Sequence, residues 1–118
     1  MILVDTSVWI DHLRRGDREL EKLLGEGVVL CHPFVIGELA CGNLKNRDEI
    51  LSLLAALPAS AVASHEEGLH VVAHRKLTGK GLGWIDIHLL ASALLSKCTL
   101  WTKDKALGAV ARSLKIGA

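Results

Sequence analysis

The sequence is poor in aromatic residues and has no long hydrophobic run. Aromatic side chains make up 3% of the 118 residues, whereas hydrophobic residues of all kinds make up 50%. We therefore expect a core of Leu, Ile, Val and Ala. No apolar stretch approaches the roughly 18–20 residues that a membrane-spanning helix needs. This predicts a chain without a membrane segment.

The start of the sequence and its few cysteines both bear on the cellular compartment of the protein. Residues 1–5 have neither the basic leader nor the long apolar segment of a signal peptide. Three cysteines, without CxxC spacing and in apolar surroundings, predict buried reduced thiols rather than disulfides or zinc ligands. They are Cys31, Cys41 and Cys98. We therefore expect a cytoplasmic protein.

The net charge and the domain organisation of the chain argue against some classes of function. The net charge is +1, so the chain has no strong overall field for a polyanion, and nucleic-acid binding would depend on local clusters. There is no linker, repeat or low-complexity segment, which predicts a single domain over residues 1–118. The chain also lacks a Walker-type glycine loop, which argues against hydrolysis of nucleoside triphosphates.

Short apolar runs alternate with helical patterns along the chain. The strand candidates are residues 2–4, 28–31, 61–63 and 98–101. Helices are predicted over residues 6–15, 17–24, 34–41, 46–57, 65–78, 85–96 and 104–114. This alternation is typical of an α/β fold with a parallel sheet covered by helices. Such sheets bind ligands at the carboxyl ends of their strands.

Four carboxylates lie where a predicted strand ends or near the start of a predicted helix. They are Asp5, Glu38, Asp86 and Asp104. Each aspartate has an ordinary structural explanation, because acids are favoured at helix N-termini. Glu38 differs, since it lies about one turn inside an otherwise apolar helix, where burying a lone carboxylate is costly.

A divalent metal site would explain all four acids with a single cause. Acids that converge at one edge of a sheet repel each other unless a cation neutralises them. Ligands that are all oxygen atoms suit Mg²⁺ or Mn²⁺ rather than zinc or copper. Such an ion lowers the pKa of a bound water and offsets the charge that builds on a phosphate. We therefore expect metal-dependent phosphodiester hydrolysis with one or two ions.

The acids also lie in four short motifs whose order is informative. The motifs are Met-Ile-Leu-Val-Asp5-Thr6-Ser7-Val-Trp, Gly37-Glu38-Leu39, Gly83-Trp84-Ile85-Asp86-Ile87-His88 and Leu100-Trp101-Thr102-Lys103-Asp104. Each is short, but the ordered set resembles the PIN domain family over essentially the whole chain. The length and the order of the acids are similar to those of VapC toxins from toxin–antitoxin pairs.

The resemblance implies a PIN-like fold, with a central parallel sheet of about four or five strands and helices on both sides. It also implies a Mg²⁺- or Mn²⁺-dependent endoribonuclease that forms a homodimer, cleaves RNA and is neutralised by a cognate VapB-type antitoxin. The family's catalytic metal ligands carry over to Asp5, Glu38, Asp86 and Asp104. Its hydroxylic residues near the metal carry over to Thr6, Ser7 and Thr102.

Basic residues near the acids are candidate contacts for RNA phosphate. They are Lys103, Lys105, Arg14 and Arg15. The alternative is that they form ordinary solvated surface. Lys105 also marks a departure from the family, many of whose members carry an additional acid just beyond the last aspartate. This departure implies a second metal that binds weakly or needs substrate phosphate.

The histidines favour structural explanations. Glu66, His70 and His74 share one helix face, which allows a zinc site in principle, although a solvated face is the better interpretation. His88 lies two residues from Asp86, roughly 200° around a helix, so it should not reach the same metal. We expect it to be a packing or interface histidine.

Three other functions share parts of the pattern. A phosphatase of the haloacid-dehalogenase type also begins with a strand ending in Asp, but it needs a second Asp where this chain has Ser7. A flap-type DNA nuclease needs DNA-gripping elements for which the chain is too short. The remaining alternative is a non-catalytic PIN-like module that binds RNA or protein. Loss of acids would mark such a module, and all four acids are present.

Overall fold

A three-stranded parallel sheet forms the centre of the protein in a computed structural model that describes all 118 residues. The strands are β1 (Ile2–Val4), β2 (Val29–Leu30) and β3 (Thr99–Trp101). Their spatial order is β2-β1-β3, so β1 is the middle strand, and its Leu3 is paired with both Leu30 and Leu100. A middle parallel strand is covered on both faces, which explains why β1 is apolar at every position.

Seven helices flank the sheet. They are α1 (Thr6–Arg15), α2 (Arg18–Gly25), α3 (Pro33–Ala40), α4 (Arg47–Ala56), α5 (His65–His74), α6 (Trp84–Ser96) and α7 (Lys105–Ser113). The predicted α/β architecture is therefore confirmed, although α5 ends four residues before its predicted end at residue 78. None of the helices combines the length and the hydrophobicity that crossing a membrane requires.

The sheet is smaller than the predicted four or five strands. Residues 61–63 form no strand, and each outer edge of the sheet is extended only by a single bridge. Cys31 is bridged to Ala59 beyond β2, and Leu100 is bridged to Gly117 beyond β3. Pro58 explains why pairing beyond β2 is limited to one bridge, because proline has no N–H to donate to a neighbouring strand. Its carbonyl still accepts a hydrogen bond from the Cys31 N–H.

The core is aliphatic, as the composition predicts. Its largest fully buried hydrophobic side chains are Leu3, Leu20, Leu89, Leu90, Leu100 and Leu107. Two of the three cysteines, Cys31 and Cys98, are buried within it. The prediction of a buried thiol is wrong for Cys41, which is exposed just after the end of α3.

Helices α5 and α6 pack against each other at a glycine. A Cβ atom at Gly68 would lie 2.9 Å from Cη2 of Trp84. Gly68 is itself buried, so the indole lies where any larger residue would project a side chain. This contact fixes the start of α6, the helix that carries Asp86.

Candidate active site

The adjacent carboxyl ends of β1 and β3 bring the first and last acids to one edge of the sheet. Asp5 follows β1 directly, and its backbone N–H donates to the carbonyl of Trp101 in β3 at 2.9 Å. Asp104 lies three residues beyond Trp101 and is the N-cap of α7. The arrangement follows from parallel pairing, because Val4 and Trp101 are in register.

Two hydroxyl groups hold the carboxylate of Asp5. Ser7 Oγ donates to Asp5 Oδ2 at 2.8 Å, and Thr102 Oγ1 donates to the same oxygen at 2.7 Å. Backbone groups hold the hydroxyls in turn. The Lys103 N–H donates to Ser7 Oγ at 2.9 Å, and the Asp104 N–H donates to Thr102 Oγ1 at 3.0 Å. Asp5 is buried, and this network fixes the direction of its side chain.

The other three acids are each held by one hydrogen bond. Thr6 Oγ1 donates to Glu38 Oε1 at 2.7 Å. The Gly83 N–H donates to Asp86 Oδ2 at 3.0 Å, and the Leu107 N–H donates to Asp104 Oδ2 at 2.8 Å. Thus all three predicted hydroxylic residues contact one of the four acids.

Each of the four carboxylates has one oxygen that accepts from the protein and one that does not. The oxygens without a protein donor are Asp5 Oδ1, Glu38 Oε2, Asp86 Oδ1 and Asp104 Oδ1. A carboxylate with one anchored oxygen has a fixed orientation and still offers a lone pair to a cation. The same pattern at four acids from four segments of the chain is what a shared ligand would require.

Electrostatics link the four acids. Burial raises the pKa of Asp86, and the charges of Asp5, Asp104 and Glu38 raise it further. The hydrogen bond from the Gly83 N–H acts in the opposite direction. Because the three other acids all disfavour ionisation of Asp86, a cation bound among them would relieve the repulsion.

The structural alternative of helix capping explains two of the acids. Asp104 caps α7, and the Asp86 carboxylate accepts a hydrogen bond from the N–H of Gly83, the N-cap of α6. Asp5 occupies the N-cap position of α1 without making a side-chain cap bond, and Glu38 lies inside α3. The prediction of a costly buried carboxylate is wrong for Glu38, because its side chain is exposed, and so burial does not favour a function for it.

The donor set fits a hard divalent cation with a largely hydrated shell. All four acids present oxygen, which Mg²⁺ and Mn²⁺ prefer. No group of three or more His, Cys, Asp or Glu side chains is already assembled at coordinating distance. Mg²⁺ does not need such a cage, because it usually keeps several waters and takes one or two protein carboxylates together with substrate phosphate.

Two of the four predicted phosphate contacts are already ion-paired. Lys103 Nζ contacts Asp11 Oδ2 and lies 3.4 Å from Asp17 Oδ2. Arg15 contacts the other oxygen of Asp11 at 2.6 Å, with a largely exposed side chain. Both cations are therefore engaged within the protein, and their contact with RNA phosphate stays a prediction. Arg14 and Lys105 are exposed and form no ion pair.

Three histidines that the sequence suggests as site candidates have structural roles. His70 and His74 are exposed and their rings stack at 5.1 Å, which fits a solvated face of α5. His88 is buried and packs edge-on against Trp84 at 4.7 Å and against Phe34 at 5.0 Å. It is therefore a packing histidine, as expected.

Sequence reasoning missed His32, which is fully buried at the start of α3. Its Nδ1 accepts from the Phe34 N–H at 2.9 Å, so the neutral ring carries its proton at Nε2. Nε2 lies 3.1 Å from Ser92 Oγ and donates to it. Burial, helped by the charge of His88, lowers the pKa of His32 to about 4. The only signal in the sequence is its position directly before Pro33 at a helix start.

The fold and site define an α/β domain with Asp5 and Asp104 at the carboxyl edge of a parallel sheet, and with Glu38 and Asp86 close enough for the charges of the other three acids to raise the pKa of Asp86. The sequence pattern of the PIN domain matches residues 2–113. The chain thus belongs to the PIN domain family.

Two similar relatives place the chain in the VapC type of that family. Both are named Ribonuclease VapC32, from Mycobacterium tuberculosis strains CDC 1551 / Oshkosh and ATCC 25618 / H37Rv. Each is 54% identical to this chain over 110 residues, which cover 92% of this chain and 89% of the relative. The match therefore spans nearly the full length of both proteins.

Proposed function

We propose that this protein is a VapC-type toxin, a Mg²⁺- or Mn²⁺-dependent endoribonuclease that a cognate VapB-type antitoxin neutralises. The observation that carries the proposal is the shared pattern of one anchored and one unengaged oxygen at Asp5, Glu38, Asp86 and Asp104. The family assignment and the printed name of the two relatives, a ribonuclease, supply the reaction class.

The four carboxylates would hold the ion or ions. A divalent ion, when bound, contributes positive charge beside the phosphate and a lowered pKa for the attacking water. The protein's own part is orientation. Thr6 fixes Glu38, while Ser7 and Thr102 fix Asp5, so two acids from different segments of the chain keep one oxygen each directed away from their hydroxyl donors. Such supporting contacts typically change metal affinity or activity by 10–100-fold.

RNA would approach a site that is acidic at its centre and basic nearby. Lys105 begins α7 directly after Asp104, and Arg14 lies in the last turn of α1. Both are exposed, and with Arg15 they are the proposed contacts for backbone phosphates. We also propose that the protein acts as a homodimer in the cytoplasm, where a ribonuclease toxin meets its RNA.

The decisive experiment is an RNA cleavage assay on purified protein free of antitoxin. It compares Mg²⁺, Mn²⁺ and EDTA, and includes Asp86→Asn together with Asp48→Asn. Asp48 is an exposed acid in α4 with no hydrogen bond or ion pair, so its variant controls for loss of one charge. Cleavage should need metal, disappear in Asp86→Asn and persist in Asp48→Asn.

The same assay can contradict the proposal. If no RNA is cleaved, and calorimetry detects no Mg²⁺ or Mn²⁺ binding, the domain is a non-catalytic module for RNA or protein. The toxin role has its own test, because expression of the wild type should arrest growth and the antitoxin encoded beside it should restore growth. Asp86→Asn, expressed to the same level, should be harmless.

A further inference from the structure

Lys103 is attached to the rest of the protein at both its backbone and its side chain. Its N–H donates to Ser7 Oγ at 2.9 Å, at the start of α1. Its ammonium reaches Asp11 in the middle of α1 and Asp17, the N-cap of α2. The short segment after β3 is therefore tied to the first two helices by three separate contacts.

This segment carries two of the proposed site residues. Lys103 lies between Thr102, which donates to Asp5, and Asp104, whose N–H donates to Thr102 Oγ1. A shift of residue 103 would therefore move both neighbours. The segment has no strand or helix of its own between Trp101 and Lys105, and the N–H groups of Lys103 and Asp104 are bonded to side chains rather than to other backbone groups.

The two aspartates are better explained as partners of Lys103 than as independent surface charges. The side chain of Asp11 is only 19% exposed and that of Asp17 only 16%. The side chain of Arg15, the other cation on Asp11, is 75% exposed. The Asp11 carboxylate raises the pKa of Lys103, and Lys103 in turn lowers the pKa of Asp11. A phosphate that captured Lys103 would leave both partly buried carboxylates without this cation, which is unfavourable.

We propose that Asp11, Asp17 and Lys103 form a clamp that positions Thr102 and Asp104 for RNA cleavage. The proposal rests on the proposed ribonuclease function. All three are positioning residues, since they act through the segment 102–104. Lys103 then contributes to the geometry of the site, whereas the sequence alone suggested a contact with RNA phosphate.

The first test uses metal-free protein and does not depend on activity. Amide hydrogen exchange, followed by NMR, should be several-fold faster at Lys103 and Asp104 in Lys103→Met than in the wild type, because the clamp protects those two N–H groups. Asp17→Asn should show the same effect, and asparagine keeps an oxygen that can cap α2. Arg15→Met, which removes the other cation from Asp11, should leave both amides protected.

The second test separates positioning from phosphate binding. For a positioning role, Lys103→Met should lower kcat for RNA cleavage roughly tenfold or more with little change in KM. Adding Asp17→Asn to Lys103→Met should cost little more, since both act through one clamp. If Lys103 contacts phosphate instead, Lys103→Met should raise KM and make KM less dependent on the salt concentration. Lys22→Met removes an exposed lysine elsewhere and should leave both constants unchanged.

The possible failures are distinguishable. A wild-type protein that cleaves no RNA would overturn the proposed function on which the clamp rests. Unchanged amide exchange in Lys103→Met would overturn the clamp alone, whatever the activity. Faster exchange with an unchanged kcat would show that the segment is clamped for a reason other than catalysis, which also overturns the proposal.

Discussion

The hydroxyl of Thr6 donates a 2.7 Å hydrogen bond to Oε1 of Glu38, which lies 32 residues further along the chain. Thr6 is the first residue of α1 and is separated from the middle strand only by Asp5, whereas Glu38 lies in the second turn of α3. The bond therefore sets an exposed carboxylate on one helix relative to the strand end that carries Asp5. It is also the only hydrogen bond that the Glu38 side chain makes to the protein.

Removing the Thr6 hydroxyl should disturb Glu38 without removing a charge. We expect Thr6→Val to lower metal affinity or RNA cleavage by about 10–100-fold, the usual cost of losing a group that orients a ligand. Thr6→Ser keeps the hydroxyl and should retain most of the activity. Calorimetric Mn²⁺ titration and cleavage kinetics on the three proteins check this. Full activity in Thr6→Val, together with a loss in Thr6→Ser, would mean that packing of the methyl group matters, and not the hydrogen bond.

Asp86→Asn should stabilise the protein in metal-free buffer. The pKa of Asp86 is raised in the folded state, so its ionised form is disfavoured there at neutral pH, and folding is weakened relative to a neutral side chain. Asparagine has no charge, yet its side-chain oxygen can still accept from the Gly83 N–H. We expect a Tm a few degrees above that of the wild type in EDTA. Asp48→Asn controls for a change in net charge. A lower Tm for Asp86→Asn would favour a purely capping role.

Adding a divalent metal should reverse the order of the two Tm values, so that the wild type becomes more stable than Asp86→Asn. An ion that binds only the folded protein stabilises it by about 2.7 kcal/mol at a concentration 100 times its Kd. Mn²⁺ should therefore raise the Tm of the wild type, while Asp86→Asn should respond much less, because it has lost one ligand charge. Thermal scans over a Mn²⁺ series, with Ca²⁺ as a second ion, measure the effect. Identical shifts in the two proteins would remove Asp86 from the metal site.

The parts of the site that sequence reasoning could reach are those defined by local position. Asp5 follows an apolar run and Asp104 precedes a helix, and parallel pairing brings those two positions together. The clamp on Lys103 lies beyond that reasoning, since its partners Asp11 and Asp17 are 92 and 86 residues away. The same holds for the Ser92 partner of His32 and for the sheet edges, where single bridges replace complete strands.

The contact between Gly68 and Trp84 gives a stability prediction with an unusual sign. Gly→Ala inside a helix normally stabilises by about 1 kcal/mol. At Gly68 the new Cβ would lie 2.9 Å from the indole, and overpacking of this kind costs about 1–3 kcal/mol. We expect Gly68→Ala to lower the free energy of unfolding by about 1 kcal/mol. Gly37→Ala in α3 meets no atom within 4 Å and should be neutral or stabilising. Urea denaturation of both variants provides the measurement.

If Gly68→Ala proves as stable as Gly37→Ala, the indole moves aside freely and does not fix the start of α6. The double variant Gly68→Ala with Trp84→Leu distinguishes a clash from a general loss of helix stability. Removing the ring should make the alanine at position 68 favourable again, because the three atoms nearest to its Cβ all belong to the ring.

His32 should make the protein sensitive to mild acid. Its pKa is about 4 in the folded state against 6.5 ordinarily, so between these values the unfolded chain binds a proton that the folded chain does not. Stability is then fully present above pH 6.5 and falls as the pH decreases toward 4, by about 3 kcal/mol. His32→Asn keeps an acceptor for the Phe34 N–H but cannot titrate, so its stability should fall less over the same interval.

Because other acids titrate there too, the quantity to compare is the difference between the urea-unfolding profiles of the wild type and His32→Asn. His74→Asn, at an exposed position, separates the effect of burial from that of losing any histidine. Parallel profiles for the wild type and His32→Asn would show that the buried ring is not what limits stability in acid.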